Sequence, residues 1–270
     1  MSGTDYENIA HSLSSLKINL TDEEFADFTI RSSFTAQETE AIAKTFDYLA
    51  KRKEETTVSM MLRLSHLPLK YPKTFDNFRF NEVKGKNIDR LDSLRSLAAL
   101  HAHKNVAFIG PAGTGKTHLA MAFGYECCMK KYKTYFIKMS ELNDLFTTAR
   151  KYGKTGTAIS SLVKPSCLII DEVGHCVFDR ENTRLFFDLI DRRYNKEGSY
   201  NMVFTSNKQP ATWKFNFNED DSLLCALDRI FDDALIFNFK GESHRGKKCE
   251  TVALTTVRDN TNGSTEKPVI

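Results

Sequence analysis

Residues 105–118 read NVAFIGPAGTGKTH, and this stretch decides the fold. Val106 to Ile109 form a short apolar run of the kind buried in a parallel sheet. Gly110 to Thr117 then spell G-x-x-x-x-G-K-T, the phosphate-binding loop pattern of strand, Gly-rich turn and helix. The glycines at 110, 113 and 115 permit close backbone approaches that a Cβ would hinder. Successive amides then turn inward as a nest for phosphate oxygens, and a helix starting near Lys116 adds the positive end of its dipole. Lys116 is placed to reach β/γ-phosphates, and the Thr117 hydroxyl to sit on Mg²⁺. Leu119, Phe123 and Cys127 follow at helical spacing, which is the context the pattern requires. A plain strand-to-helix turn would not need a Lys-Thr pair after three glycines.

Downstream of the loop, strand and helix signals alternate. Strands are predicted at Thr134–Ile137, Cys167–Ile170, Met202–Thr205 and Ala234–Phe237, and helices at Ser140–Arg150 (Ser140 as N-cap), Asn182–Tyr194 and Ser222–Phe231. With Val106–Ile109 this makes a five-stranded parallel sheet flanked by helices, an α/β fold. Upstream, Asp89–Leu100 reads as a helix leading into the first strand, behind an aromatic linker from Tyr71 to Phe78. Thr35-Ala36-Gln37-Glu38 is a capping box for a helix that ends near Lys51-Arg52-Lys53, and a second helix is expected from about Thr57 to His66. A shorter helix is expected after Thr21, through Phe28. The organisation is therefore a helical unit over 1–68, an α/β domain over 69–250 and a polar tail over 251–270. The helical unit is too small to fold strongly alone, so it should dock on the main domain, a sister subunit or a partner.

Leu168-Ile169-Ile170-Asp171-Glu172 is the second informative stretch. Four apolar residues from Cys167 end in two acids at the carboxyl edge of a strand, where open parallel sheets bind ligands. Asp171 suits Mg²⁺, directly or through water, and Glu172 suits a general base for an attacking water. An apolar run ending in Asp-Glu is weak evidence by itself; its position 55 residues after Lys116, with one strand and one helix between, makes the pair informative. The strand ending at Thr205 delivers Ser206 and Asn207 to the same edge, where the amide of Asn207 can meet a γ-phosphate or the water, or simply serve the turn before Pro210.

Composition bounds the rest. The 270 residues are 41% hydrophobic and 27% charged, ordinary for a globular chain with a core of normal size. A net charge of +3 neither requires nor excludes nucleic acid. The six cysteines form no C-x-x-C pair and read as reduced thiols. No basic and then apolar leader opens the sequence and no apolar run approaches a membrane span, so a cytoplasmic protein with no membrane contact is expected. His101-Ala102-His103 lacks a third metal ligand, His175-Cys176 reads as loop packing rather than catalysis, and Trp213 reads as a core anchor ahead of a partner contact.

Taken together these motifs resemble an AAA+ ATPase and, within that group, the IstB-like family, helper ATPases of insertion-sequence transposition related to the DnaC helicase loaders. The matching residues are Phe75–Phe78, Gly110–Ala120, Leu168–Glu172, Thr205-Ser206-Asn207 with Trp213, Leu227-Asp228-Arg229 and Gly241-Glu242-Ser243-His244-Arg245. They span about 180 residues, with a looser match over 35–66. The resemblance implies ATP and Mg²⁺ as cofactors, held by the Walker A residues Gly110, Pro111, Ala112, Gly113, Thr114, Gly115, Lys116, Thr117 and His118 and by Asp171 and Glu172 as Walker B. It implies Asn207 as sensor 1, Arg229 as an arginine finger acting in trans and Arg245 as sensor 2. The chain departs from the pattern at 151–164, rich in Gly, Thr and Ser rather than charged and helical, and at the acidic cluster Glu219-Asp220-Asp221.

The expected activity is ATP hydrolysis that times the assembly of a ring or helical oligomer on duplex DNA and the recruitment of a transposase. Arg150, Lys151 and Lys154 are candidate phosphate contacts, or ordinary solvated cations. A replicative helicase loader of the DnaC type is the nearest alternative, and an ATP-binding scaffold with little turnover is another. A metabolic kinase is remote, because no acceptor pocket is legible.

Overall fold

A computed structural model describes residues 3–84, 88–218 and 221–241. Five strands, β1 (Val106–Ile109), β2 (Thr134–Lys138), β3 (Cys167–Asp171), β4 (Asn201–Ser206) and β5 (Leu235–Asn238), form one sheet in the order β2-β3-β4-β1-β5. Every pairing is parallel. The strands are continuous apolar runs, yet their alternate residues part onto two faces. Ala107, Ile109, Leu168, Ile170, Met202 and Phe204 enter one core, and Val106, Phe108, Cys167, Ile169 and Val203 enter the other. Burial on both faces is why these runs lack polar alternation.

In chain order the helices are α1 (Gly3–Ser15), α2 (Asp22–Arg31), α3 (Ala36–Leu64), α4 (Ile88–Asp92), α5 (Ala98–His101), α6 (Lys116–Met129), α7 (Met139–Lys151), α8 (Thr155–Val163), α9 (Arg180–Tyr194) and α10 (Asp221–Phe231). Helix α6 covers one face of the sheet, while α7, α8 and α9 cover the other. The N-terminal helices close a small core of their own from Ile9, Leu13 and Phe25, against which Ile42 and Phe46 pack.

Several expectations require correction. The expected break near Lys51-Arg52-Lys53 is absent, and α3 runs unbroken for 29 residues. Its charges are paired along and beyond the helix, as Lys51–Asp47 at 2.7 Å, Arg52–Glu55 at 3.0 Å and Lys131–Glu54 at 2.5 Å. Thr56 and Thr57 bond back to the carbonyls of Arg52 and Lys53, which keeps them compatible with a helix. The far end of α3 packs Met61 and Leu62 on the α/β core. Conversely, the single helix expected over 89–100 is broken. Leu97 adopts a left-handed φ of 58° between a 3₁₀ turn and α5, and the hydroxyls of Ser93 and Ser96 bond to the carbonyls of Arg90 and Ser93.

The Gly/Thr/Ser-rich segment after Lys151 is helical after all, because Ala158, Ile159 and Leu162 share one buried face. Ser140 is not the N-cap of α7; the cap is Lys138, whose backbone N–H donates to Glu141 at 3.1 Å. Helix α1 lies in a stretch whose polar composition hid it, and α2 carries the full Thr21/Glu24 capping box and extends to Arg31. Trp213 is a core residue, 1% exposed, packed between Phe204 and Phe231. Arg245, Cys249, Glu219, Asp220 and the 251–270 tail lie outside the described residues. Among the described residues no helix is long and apolar enough to cross a membrane.

Candidate functional site

Strands β3, β4 and β1 are adjacent, so their carboxyl ends deliver three motifs to one edge. Ile109 pairs with Ser206, and Ile170 with Phe204. The result is a cleft of about 330 Å³. The loop residues Ala112, Gly113, Gly115, Lys116 and Thr117 line it, facing Glu172, Thr205, Ser206 and Asn207. Lys73, His118 and Met121 complete the wall.

The loop is built as its glycines suggested. Gly110 and Gly115 have φ of +145° and +92°. A Cβ at Gly110 would stand 2.3 Å from the carbonyl oxygen of Phe239, and one at Gly115 would stand 2.8 Å from the ring of Phe78. The aromatic segment Tyr71–Phe78 thus packs over the loop. Lys116 is 6% exposed and its Nζ donates to the Pro111 carbonyl at 2.6 Å. Thr114 donates to the same carbonyl at 3.0 Å. The His118 ring nitrogen Nε2 lies 2.9 Å from the carbonyl of Thr74. Burial lowers the His118 pKa below the ordinary histidine value, and the charge of Lys73 adds to the effect, so the ring is neutral at neutral pH and donates to that carbonyl.

The two acids are in unlike settings. Asp171 is 2% exposed, and one of its oxygens, Oδ1, accepts from both the Thr117 hydroxyl at 2.8 Å and the Thr205 hydroxyl at 2.5 Å. Glu172 takes a left-handed φ of 60°, which turns its side chain out of the strand direction toward the cleft. Such a backbone is costly for a non-glycine residue and tends to persist where function fixes it. The Glu172 amide donates to the Thr205 hydroxyl at 3.0 Å, so one threonine links both acids. The register Lys138↔Asp171 brings the Lys138 ammonium within 3.7 Å of the Glu172 carboxylate. Asn207 also lines the cleft, its amide 3.2 Å from the His175 ring.

Sequence reading did not single out Lys138 or the Thr205 hydroxyl. Lys138 is close to Glu172 only through the pairing of β2 with β3, which no local pattern reveals. Thr205 carried a signal, since it precedes Ser206-Asn207 at a strand end, but its partner is set by β3 pairing with β4.

Arg229 is not in this cleft. It lies at the other edge of the sheet, in a cavity of about 370 Å³ beside Asn105 and Met202, where β1 and β4 begin. Arg150 donates to Asp179 at 2.7 Å and to Asn182 at 3.0 Å, so it is committed within its own subunit, whereas Lys151 and Lys154 are exposed. His101 and His103 pack separately against Tyr132 and Tyr200. The described cysteines are free thiols.

A glycine-shaped loop, a buried lysine and a threonine–aspartate pair thus meet at one sheet edge, and the comparison with known proteins gives the family. The chain belongs to the IstB-like ATP binding proteins. The model of that family matches residues 17–251. This IstB-like chain is 35% identical over 193 residues to the putative ATP-binding protein of insertion sequence IS5376 from Geobacillus stearothermophilus, covering 72% of this chain and 75% of that one. It is 29% identical over 245 residues to the corresponding IS232 protein of Bacillus thuringiensis subsp. berliner, covering 90% and 95%. Among solved structures, the DnaC helicase loader matches with a TM-score of 0.52 at 17% identity, covering 63% of this chain and 98% of that one. AMPPCP-bound DnaA from Aquifex aeolicus matches with a TM-score of 0.52 at 19% identity, covering 65% of this chain and 52% of that one. Identities this low speak for the fold alone, an AAA+ P-loop domain preceded by N-terminal helices.

Proposed function

We propose that this IstB-like protein hydrolyses ATP to ADP and phosphate, and that ATP binding and hydrolysis time its assembly on duplex DNA and its recruitment of a transposase. The observation that carries the reading is the convergence of Thr117 and Thr205 on one Asp171 oxygen, directly beside Glu172 in the cleft. ATP fits the cradle because the loop is shaped by glycines whose Cβ positions are blocked and because Lys116 borders it. Mg²⁺ fits the pair Thr117 and Asp171, both hard oxygen donors, which would hold it where it would offset phosphate charge. Lys116 exchanges the Pro111 carbonyl for phosphate oxygens. Glu172 orients the attacking water and accepts its proton. Asn207 holds that water or the γ-phosphate.

Arg229 lies at the edge remote from its own cleft, which suits a group lent to a neighbouring subunit's γ-phosphate in a ring or helical oligomer. Arg245 is assigned as the sensor 2 residue of the same site. Lys151 and Lys154 are the residues we assign to DNA phosphates. The chain is read as a helical unit over 1–68, an ATPase domain over 69–250 and a tail over 251–270.

The test is Glu172→Gln. ATP turnover should fall by at least a hundredfold while ATP binding persists, and ATP-dependent assemblies on duplex DNA should become longer-lived. Electron microscopy with duplex DNA should show a ring or filament in ATP and none in ADP. Unchanged turnover in Glu172→Gln would refute the hydrolytic assignment. The similarity in fold to the DnaC helicase loader gives a second reading, in which the partner is a replicative helicase. Capture of the helicase rather than the transposase, with preference for single-stranded DNA, would favour it.

A further inference from the structure

The far edge of the sheet holds a contact that the proposed catalysis does not use. On α9, Phe187, Asp191 and Tyr194 stand at i, i+4 and i+7, one stripe of a helix that packs on α10. Arg229, in the last turn of α10, lies against that stripe. Its guanidinium carbon sits 5.3 Å from the Phe187 ring centroid and 5.9 Å from that of Tyr194. Its Nη2 is 3.2 Å from Asp191 Oδ1, and the Tyr194 hydroxyl is fixed by donating to Asp232 at 3.1 Å.

The rings hold the guanidinium in place, and the carboxylate on one prong takes the position a phosphate oxygen would take. The other prong, Nη1, is buried and has no acceptor. The stowed geometry therefore leaves one donor unsatisfied, which makes the hold weak and exchangeable. An anion from a second subunit competes with Asp191 for this guanidinium, because two anions on one cation repel.

We propose that Asp191 is an intramolecular stand-in for the neighbouring subunit's γ-phosphate, holding Arg229 stowed against Phe187 and Tyr194 until a second copy of this chain presents ATP. The proposal rests on the reading of Arg229 as the group supplied in trans. Asp191 thus sets the subunit concentration at which ATP turnover begins, acting through Arg229 and not through its own cleft.

The experiment measures ATP turnover against protein concentration for the full chain, for Asp191→Asn, for Arg229→Ala and for the double variant, with ATP affinity measured alongside. Asparagine keeps the shape of the side chain and removes the charge. Asp191→Asn should reach half-maximal turnover at a roughly two- to fivefold lower concentration, the range a solvent-accessible ion pair carries. Its ATP affinity should be unchanged, which a general loss of structure would not leave intact. Arg229→Ala should be low at all concentrations, and the double variant should match it. If Asp191→Asn follows the parent curve or needs more protein while Arg229→Ala is dead, the stand-in role is overturned and the trans arginine stands. If Arg229→Ala turns over normally, the trans arginine itself falls, and the role of Asp191 with it. A double variant that keeps the shift would show that Asp191 acts elsewhere, against the proposal.

Discussion

At Gly110 the chain turns out of β1 with φ of +145°, and a Cβ there would collide with the Phe239 backbone at 2.3 Å. Gly110→Ala should therefore destabilise the fold by about 1–3 kcal/mol and weaken ATP binding, measured by denaturant unfolding and nucleotide titration. His118 gives a prediction with a definite sign. Its folded-state pKa is lowered from 6.5, mainly by burial, so the folded chain binds fewer protons than the unfolded chain below that pH. The contribution is present above about pH 6.5 and is lost as the pH falls toward and through the lower folded value. Between pH 7 and pH 5 the parent should lose more stability than His118→Gln, which retains a donor for the Thr74 carbonyl; equal losses in chemical denaturation would contradict this. At this scale the sequence was legible as to which local motifs share a place in the fold. The loop, Asp171-Glu172 and Asn207 do line one edge. What it hid were partners created by strand register, such as Lys138 beside Glu172 and Thr205 beneath both acids.

Among the elements, strands were easier to read than helix ends, because a buried parallel strand is a short, unbroken apolar run. Helices α3 and α8 show why helix limits were harder. Charge clusters and Gly/Thr/Ser content suggested breaks, but side-chain pairing in α3 and a buried stripe in α8 outweigh local propensity. The end of α8 depends on a residue that no local pattern singled out. Arg193, on α9, is fully buried and donates to the carbonyls of Leu162, Val163, Pro165, Ser166 and Asn201, with distances of 2.6–3.2 Å. Burial pulls its pKa down to about 10, which still leaves it charged at neutral pH. It ties the end of α8 to the starts of β3 and β4. Arg193→Leu would strand those carbonyls, and thermal or denaturant unfolding should show a loss of about 3 kcal/mol or more. A change below 1 kcal/mol would mean that the carbonyls find other donors.

Over the whole molecule, charge is unevenly distributed. Residues 1–68 carry 11 acidic and seven basic side chains, and residues 69–250 carry 22 and 29. A phosphate backbone should therefore favour the α/β domain over the N-terminal helices. Lys151→Ala and Lys154→Ala should each weaken duplex binding similarly for any sequence, and each should reduce the slope of log affinity against log salt by about 0.9. An unchanged slope in both would move the DNA surface elsewhere. The two halves of the proposed catalytic unit, the cleft and Arg229, occupy opposite edges of one subunit, so neither can complete the other within it. The most direct test of that claim mixes two inactive proteins. Lys116→Ala keeps the arginine but lacks the nucleotide site, and Arg229→Ala keeps the site but lacks the arginine. ATP turnover, negligible in each alone, should reappear when the two are combined and rise with the concentration of Lys116→Ala; a mixture as inactive as its components, or an Arg229→Ala protein active by itself, would contradict a site shared between subunits.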